Sequence, residues 1–257
     1  MGLKISEKQI VCGLIILYIL IFGILTSLRH YNFQTQTWDL AAFVQSFWNA
    51  IHSRGLVNSL EQVYNHLGLH FSPWLFVLVP GYFFFPSPYF LLIAQTIAIA
   101  LGAWPLYMLA KKVIGQKLWP LIIVIGYFLY PPLHWANMYD FHEITFFIPL
   151  FITALYFLEA RRWGWAITFL ALSASVKEDA ILAVMFAGIY MLLKIPNNKF
   201  QITNKTQIQN SKRFRFWFLE LIWNLMLGVW DFIKRKSFAI GIIFISLLYF
   251  ILAVKVF

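Results

Sequence analysis

Cysteine is almost missing from this chain: Cys12 stands alone among 257 residues. A single thiol excludes an intramolecular disulfide and any cysteine-based metal cluster. Charge is scarce as well, at 12% of residues, and acids are half as numerous as bases, 10 against 20. That proportion lies far below an ordinary soluble domain. The sequence carries no phosphate-binding P-loop, no glycine-rich dinucleotide fingerprint and no hydrolase nucleophile motif. It also lacks the alternating ten-residue pattern of a transmembrane β-barrel, and it shows no internal repeat.

What remains is apolar: 61% of residues are hydrophobic. Several runs approach or exceed the roughly 20 apolar residues that a spanning helix needs. The chain therefore reads as an all-α, polytopic integral membrane protein, multi-pass in the cell membrane with the lipid bilayer as its partner, since helices satisfy their own backbone in lipid. About seven spans are expected, near 9–28, 88–110, 118–133, 144–160, 163–176, 180–194 and 238–254. The first is read as a retained helix rather than a signal peptide, because its apolar core is long and no clean cleavage site follows. The net charge of +10 does not point to nucleic acid. The basic residues cluster between the apolar runs, as the positive-inside rule requires.

Two segments near the N-terminal half do not read as spans. Residues 37–53, TWDLAAFVQSFWNAIHS, place Leu40, Phe43, Val44, Phe47 and Ile51 on one stripe, with Asp39, Ser46, Asn49 and Ser53 opposite. That pattern suits a helix lying on the membrane surface. Residues 71–85 are apolar but short, with Pro73 and Pro80, and read as re-entrant or interfacial. Three later parts complete the layout beyond a module of residues 1–194. Residues 195–213 form a polar, low-complexity cytoplasmic loop, 214–233 an interfacial amphipathic helix, and 234–257 a last transmembrane helix.

Charge sets the orientation. With the N-terminus cytoplasmic and 71–85 not crossing, sixteen of the 20 Lys and Arg face the cytoplasm. A model with the N-terminus outside and 71–85 crossing gives the same tally, so charge alone leaves both open. Length and the two prolines favour the first. Six of the 10 acids then lie outside: Asp39, Glu61, Asp140, Glu143, Glu178 and Asp179.

The least expected feature is ALSASVKEDAILAV at 171–184, which sets Lys177, Glu178 and Asp179 inside an apolar run of about 30 residues. Arg161 and Arg162 precede the run and Lys194 follows it, so it folds back as a hairpin with the triplet at its outer tip. Each arm of about 14 residues reaches about 21 Å at 1.5 Å per residue, short of a hydrocarbon core about 30 Å thick. The triplet is therefore expected below the outer surface, either as an internal ion pair in a thinned bilayer or lining a polar cavity. NMYDFHEITFF adds Asp140, His142 and Glu143 at the outer end of another helical pair, with helix capping as the simpler role. His66 and His70, spaced i, i+4, are metal-ligand candidates together with Asp39. Asp39 is equally a first-turn acid following Thr37 as helix cap.

Four elements carry a resemblance: WDLAAFVQSFWN at 38–49, the run from His70 to Lys112, DFHE at 140–143 and KED at 177–179. Together they resemble a large family of predicted prokaryotic membrane proteins related to the GT-C glycosyltransferases. The resemblance covers roughly residues 30–194. It implies a first external loop carrying surface helices and a polyprenyl-phosphate-linked sugar as donor. It also implies that Asp39 acts as base or metal ligand, with a divalent cation as the implied cofactor. Asp140 and His142 join Asp39 as candidate catalytic residues. Lys177, Glu178, Asp179, His70 and Glu143 are the candidate substrate contacts, and Trp38, Trp48 and Trp135 are candidates to stack on sugar, with anchoring at the membrane interface the simpler role. The chain departs from the family pattern at Ala41, where glycine is usual, at Glu143, where proline is common, and in the insertion 195–213. It ends at AVKVF, shortly after its last expected span, and so reads as a truncated or split product. Transport or lipid flipping, and a noncatalytic scaffold or truncated paralogue, stand as the alternatives to transfer.

Overall fold

A computed structural model describes residues 6–115, 118–194, 237 and 239–249. The expected loop 195–213 and interfacial helix 214–233 lie outside the described residues, as do the ends of the span 238–254. Among the described residues the structure is helical throughout, and the only β pairing is an isolated bridge between Val57 and Asn65.

Helix α1 (Glu7–Tyr31) starts at a capping box, in which Ser6 and Gln9 satisfy each other's backbone N–H groups. It is the longest single helix among the described residues, and its apolar side chains face outward along most of its length. α2 (Thr37–Ile51) is a helix over the segment where the stripe predicts one, with Leu40, Phe43 and Phe47 buried as expected and Ser46, expected on the polar side, buried as well. Gln36, not Thr37, is its cap residue, and no side chain completes the cap. A loop with the short α3 (His66–Leu69) leads to α4 (Leu75–Phe84), ten residues long and too short to cross. α5 (Pro88–Leu101) and α6 (Ala103–Ile114) run on as one apolar length of 27 residues. At their joint the Tyr127 hydroxyl donates to the Ile99 carbonyl at 2.6 Å, and a Cβ on Gly102 would sit 2.7 Å from that hydroxyl.

The expected span 118–133 is interrupted. α7 (Leu118–Phe128) stops before Pro131 and Pro132, and α8 (Pro131–Tyr139) leaves it at 42°. Proline removes backbone donors and holds the preceding Tyr130 extended, at ψ 110°. The expected span 144–160 is likewise divided: a 3₁₀ turn (Glu143–Phe146) precedes α9 (Phe147–Glu159). α10 (Trp163–Ala174) and α11 (Ala180–Lys194) form the expected hairpin. A last described helix, α12, covers Ala239–Tyr249.

Two helices, α1 and the joined α5–α6, are long and apolar enough to cross a bilayer, or three if α7–α8 is one bent span. That count is one of length and composition among the described residues; α4 and α10, with 10 and 12 residues, reach only about 15–18 Å and do not qualify by length alone. Three apolar clusters hold the helices together. One joins α2 and α4 to α5, Phe141 and Phe146. The second packs α1 on α5–α6 and α7, and the third gathers α9, α10, α11 and Ala239. The first cluster matters most here, because it fixes α2 over the turns that carry the charged motifs.

Candidate functional site

Four chain segments converge at the α2 end of the molecule: α2, the loop before α4, the turn 140–143 and the tip of the α10–α11 hairpin. Asp39, in the first turn of α2, brings Oδ2 to 3.8 Å from His142 Nε2. Both side chains are about one-third exposed, at 36% and 30%. The DFH turn is built around Gln95, a fully buried amide in the apolar run of α5. Gln95 Nε2 donates to the carbonyls of Ala136 and Asn137 at 3.3 Å each and of Asp140 at 2.8 Å. Its Oε1 accepts from the His142 backbone N–H at 2.7 Å and from Thr145 Oγ1 at 3.5 Å. One side chain therefore pins the backbone on both sides of Phe141.

The Asp140 carboxyl is buried, and neither oxygen has a hydrogen-bond partner among the described residues. Burial pushes its pKa up to about 6; the Gln36 backbone N–H, which approaches the carboxyl without reaching hydrogen-bond geometry, and the Arg29 guanidinium act against this, and the nearby Asp39 charge adds to it. Arg29 is itself held by the carbonyls of Gln34, at 3.0 Å, and Met138, at 2.5 Å. Neither Asp140 nor His142 caps the following helix through its side chain, so the simpler role does not account for them.

The charged triplet divides its tasks. Lys177 Nζ lies 3.1 Å from Glu143 Oε1, whose side chain is 1% exposed. The approach is too bent for a hydrogen bond, so the attraction is ionic. Glu178 reaches the other way: Oε1 lies 2.8 Å from His70 Nδ1, and Oε2 accepts from the Phe71 N–H at 2.9 Å. Burial raises the Glu178 pKa, but His70 and the backbone more than offset this and hold it below the ordinary carboxylate value. Asp179 is exposed and makes no ion pair with a described side chain. The tip is also tied by its backbone, because Trp74 N–H donates to the Ser175 carbonyl at 2.9 Å.

His66 and His70 do not aim at a shared ion. Their rings are 5.9 Å apart, and each Nδ1 faces its own carboxylate: His66 meets Glu61 at 2.7 Å, and His70 meets Glu178. Glu61 is raised by burial but brought below its ordinary value by His66 and Asn58. Among the described residues, no group of three or more His, Cys, Asp and Glu is disposed to hold a metal ion. Phe43 is the spacer between the subsites, with its ring 4.9 Å from His66 and 6.5 Å from His142.

The motifs named Asp39, Asp140, His142, Glu143, Lys177, Glu178 and His70; the fold brings six of them to one end as three pairs, with the Asp140 carboxyl outside any pair. Gln95 and Arg29 escape a search for ionisable clusters. The available signal for Gln95 is its isolation: an amide inside LLIAQTIAIAL must find buried partners. Trp38, Trp48 and Trp135 are all exposed.

No curated protein and no solved structure matches this chain. A family model described as "Predicted membrane protein (DUF2079)" matches residues 29–257. With its apolar spans and most of its length matched, the chain belongs to that family of predicted membrane proteins.

Proposed function

We propose that this membrane protein is a GT-C-like glycosyltransferase with about seven passes and a cytoplasmic N-terminus, transferring sugar from a polyprenyl-phosphate donor at the external face. The observation that carries the reading is the approach of Asp39 to His142 beside the unpaired carboxyl of Asp140, on a surface helix and a loop rather than within a span. Two further supports are the confinement of these groups to one end and the order of the motifs along the chain.

In the proposed reaction an acceptor hydroxyl attacks the anomeric carbon of the donor sugar. The bond from that carbon to the phosphate oxygen breaks, and polyprenyl phosphate leaves with the electron pair. Asp39 receives the hydroxyl proton, and His142 orients the carboxylate or relays the proton. Lys177 is engaged with Glu143, so it organises the site more than it offers a free charge to the donor. Acids outnumber cations there: Asp39, Asp140, Glu143 and Glu178 face Lys177 and Arg29. A divalent cation would balance a phosphate, but the described side chains do not supply a three-ligand set for one. The chemistry is therefore assigned only to groups of this chain.

The test is transfer of labelled sugar from polyprenyl-phosphate donors in vesicles. Removing a general base costs roughly 10²–10⁴-fold, and Asp39→Asn is expected to lose activity in that range. Equal transfer by wild type and variant would remove Asp39 from the reaction.

A further inference from the structure

At the end of the molecule away from Asp39, a cavity of about 400 Å³ opens between α6, α7, α9 and α11. Leu109, Ala110 and Val113 of α6, Ile123 of α7 and Leu155 of α9 line it, and Glu159 and Tyr190 are the polar residues on its wall. We infer that this cavity takes an acyl chain of an anionic phospholipid, whose phosphate is held by Lys112, Arg161 and Arg162. The inference stands apart from the transferase reading.

The position of the cavity favours a lipid. Lys111 Nζ meets Glu7 Oε2 at 2.9 Å, which ties the last turn of α6 to the first turn of α1. α9 starts beside the DFHE turn and finishes at Glu159, and α11 runs from the KED tip toward the same end. The α6 wall belongs to the 27-residue apolar length that can cross a bilayer. Val113 and Ile114 on that wall are 61% and 42% exposed. In lipid such side chains face hydrocarbon. Water would find few polar partners in the cavity, so the bilayer supplies its filling.

An apolar cavity alone suits any lipid; charge selects an anionic one. The acids at this end are already engaged. Glu7 accepts from Lys111 and from the Tyr107 hydroxyl, the latter at 2.6 Å, and Glu159 accepts from the Tyr190 hydroxyl. Lys112 stands between the cavity residues Ala110 and Val113, and Arg161 and Arg162 directly follow the end of α9. All three are exposed and make no ion pair with a described side chain. Basic clusters between membrane helices recognise phospholipid head groups, and an arginine fork meets phosphate through two N–H groups.

The backbone of Arg161 is an independent sign. Its φ is +55°. Its N–H donates to the Leu158 carbonyl at 3.1 Å, and the Arg162 N–H donates to the Phe157 carbonyl at 3.0 Å. This is a Schellman helix end, whose left-handed position is usually glycine. Arginine is strained there, and the turn itself needs no side chain. The cation is what glycine could not supply.

The experiment places the full chain in phosphatidylcholine nanodiscs with a trace of phosphatidylglycerol carrying a diazirine in its acyl chain, followed by peptide mapping of the adducts. Adducts are expected on residues 109–114 and around Leu155, and a phosphatidylcholine probe of the same chain is expected to label them about tenfold less. Arg161→Gly is expected to lower labelling by phosphatidylglycerol about fivefold. The same variant relieves the backbone, so it is expected to unfold at a higher temperature; a merely structural arginine would not show that combination. Equal labelling of the cavity by the two probes would overturn the inference, as would adducts confined to α1 or undiminished labelling of Arg161→Gly. Adducts on 195–236 with none on the cavity wall would overturn it too, by showing that the chain's own segment covers the cavity.

Discussion

Replacing Lys177 by methionine tests the central electrostatic claim, that the hairpin tip is fastened to the DFHE turn by a buried ion pair. Nζ and Oε1 are 3.1 Å apart, and the two side chains are 19% and 1% exposed. At an effective dielectric constant of about 20, unit charges at that distance attract by about 5 kcal/mol. Desolvation of both groups offsets much of this in the intact protein, so the pair itself adds little. Losing one partner is another matter. Lys177→Met strands Glu143 in a site with almost no access to solvent, and breaking a buried pair in this way costs about 3–5 kcal/mol. Glu143→Gln is expected to cost less, because the longer lysine stem can carry its ammonium group toward water. The double variant Lys177→Met/Glu143→Gln removes both charges and is expected to be more stable than Lys177→Met alone. Reversible unfolding in mixed micelles, or steric trapping in bicelles, measures all three. Independent sites add to within about 0.5 kcal/mol, so a double variant costing the sum of the two singles would refute the argument.

Three further outcomes follow from the geometry. Gln95→Leu leaves the Asp140 carbonyl and the His142 N–H without their 2.8 and 2.7 Å partners. At about 1–3 kcal/mol per stranded buried group, it is expected to destabilise the fold by about 2–6 kcal/mol in the same unfolding assay. Asp140 sits at about 6 in the fold against an ordinary 3.8, so the fold favours its neutral form. Its stabilisation is complete below about 3.8 and is lost as pH rises through about 6; Asp140→Asn should flatten the unfolding profile over that interval, and an unchanged slope would contradict the burial argument. Ser59, exposed in the loop after α2, reports orientation. In a Cys12→Ala background, Ser59→Cys should react with an impermeant thiol reagent in intact cells, and reaction only after permeabilisation would place Asp39 on the cytoplasmic side.

The motifs were legible because each is written locally. Asp39 stands on an amphipathic stripe, DFHE lies between apolar runs, and KED interrupts one. Periodicity gave α2 and both arms of the α10–α11 hairpin nearly to their ends. It failed at 118–133, where average apolarity concealed the effect of Pro131–Pro132 on the backbone. Among the described residues it also ran past helix ends, because hydropathy does not register where a turn ends a helix.

The sequence by itself determined that this chain is helical and belongs in a membrane, because apolar content and run length act through the bilayer whatever the packing. It also determined which segments carry scarce charge. Pairing was decided only in three dimensions: Lys177 chose Glu143 over its neighbours Glu178 and Asp179, His70 met Glu178 across 108 positions, and Gln95 was drawn under the DFH turn. The reason is physical. Buried charges and amides take whichever partner the packed helices bring within about 3 Å, and that proximity is a property of the assembled fold rather than of spacing along the chain.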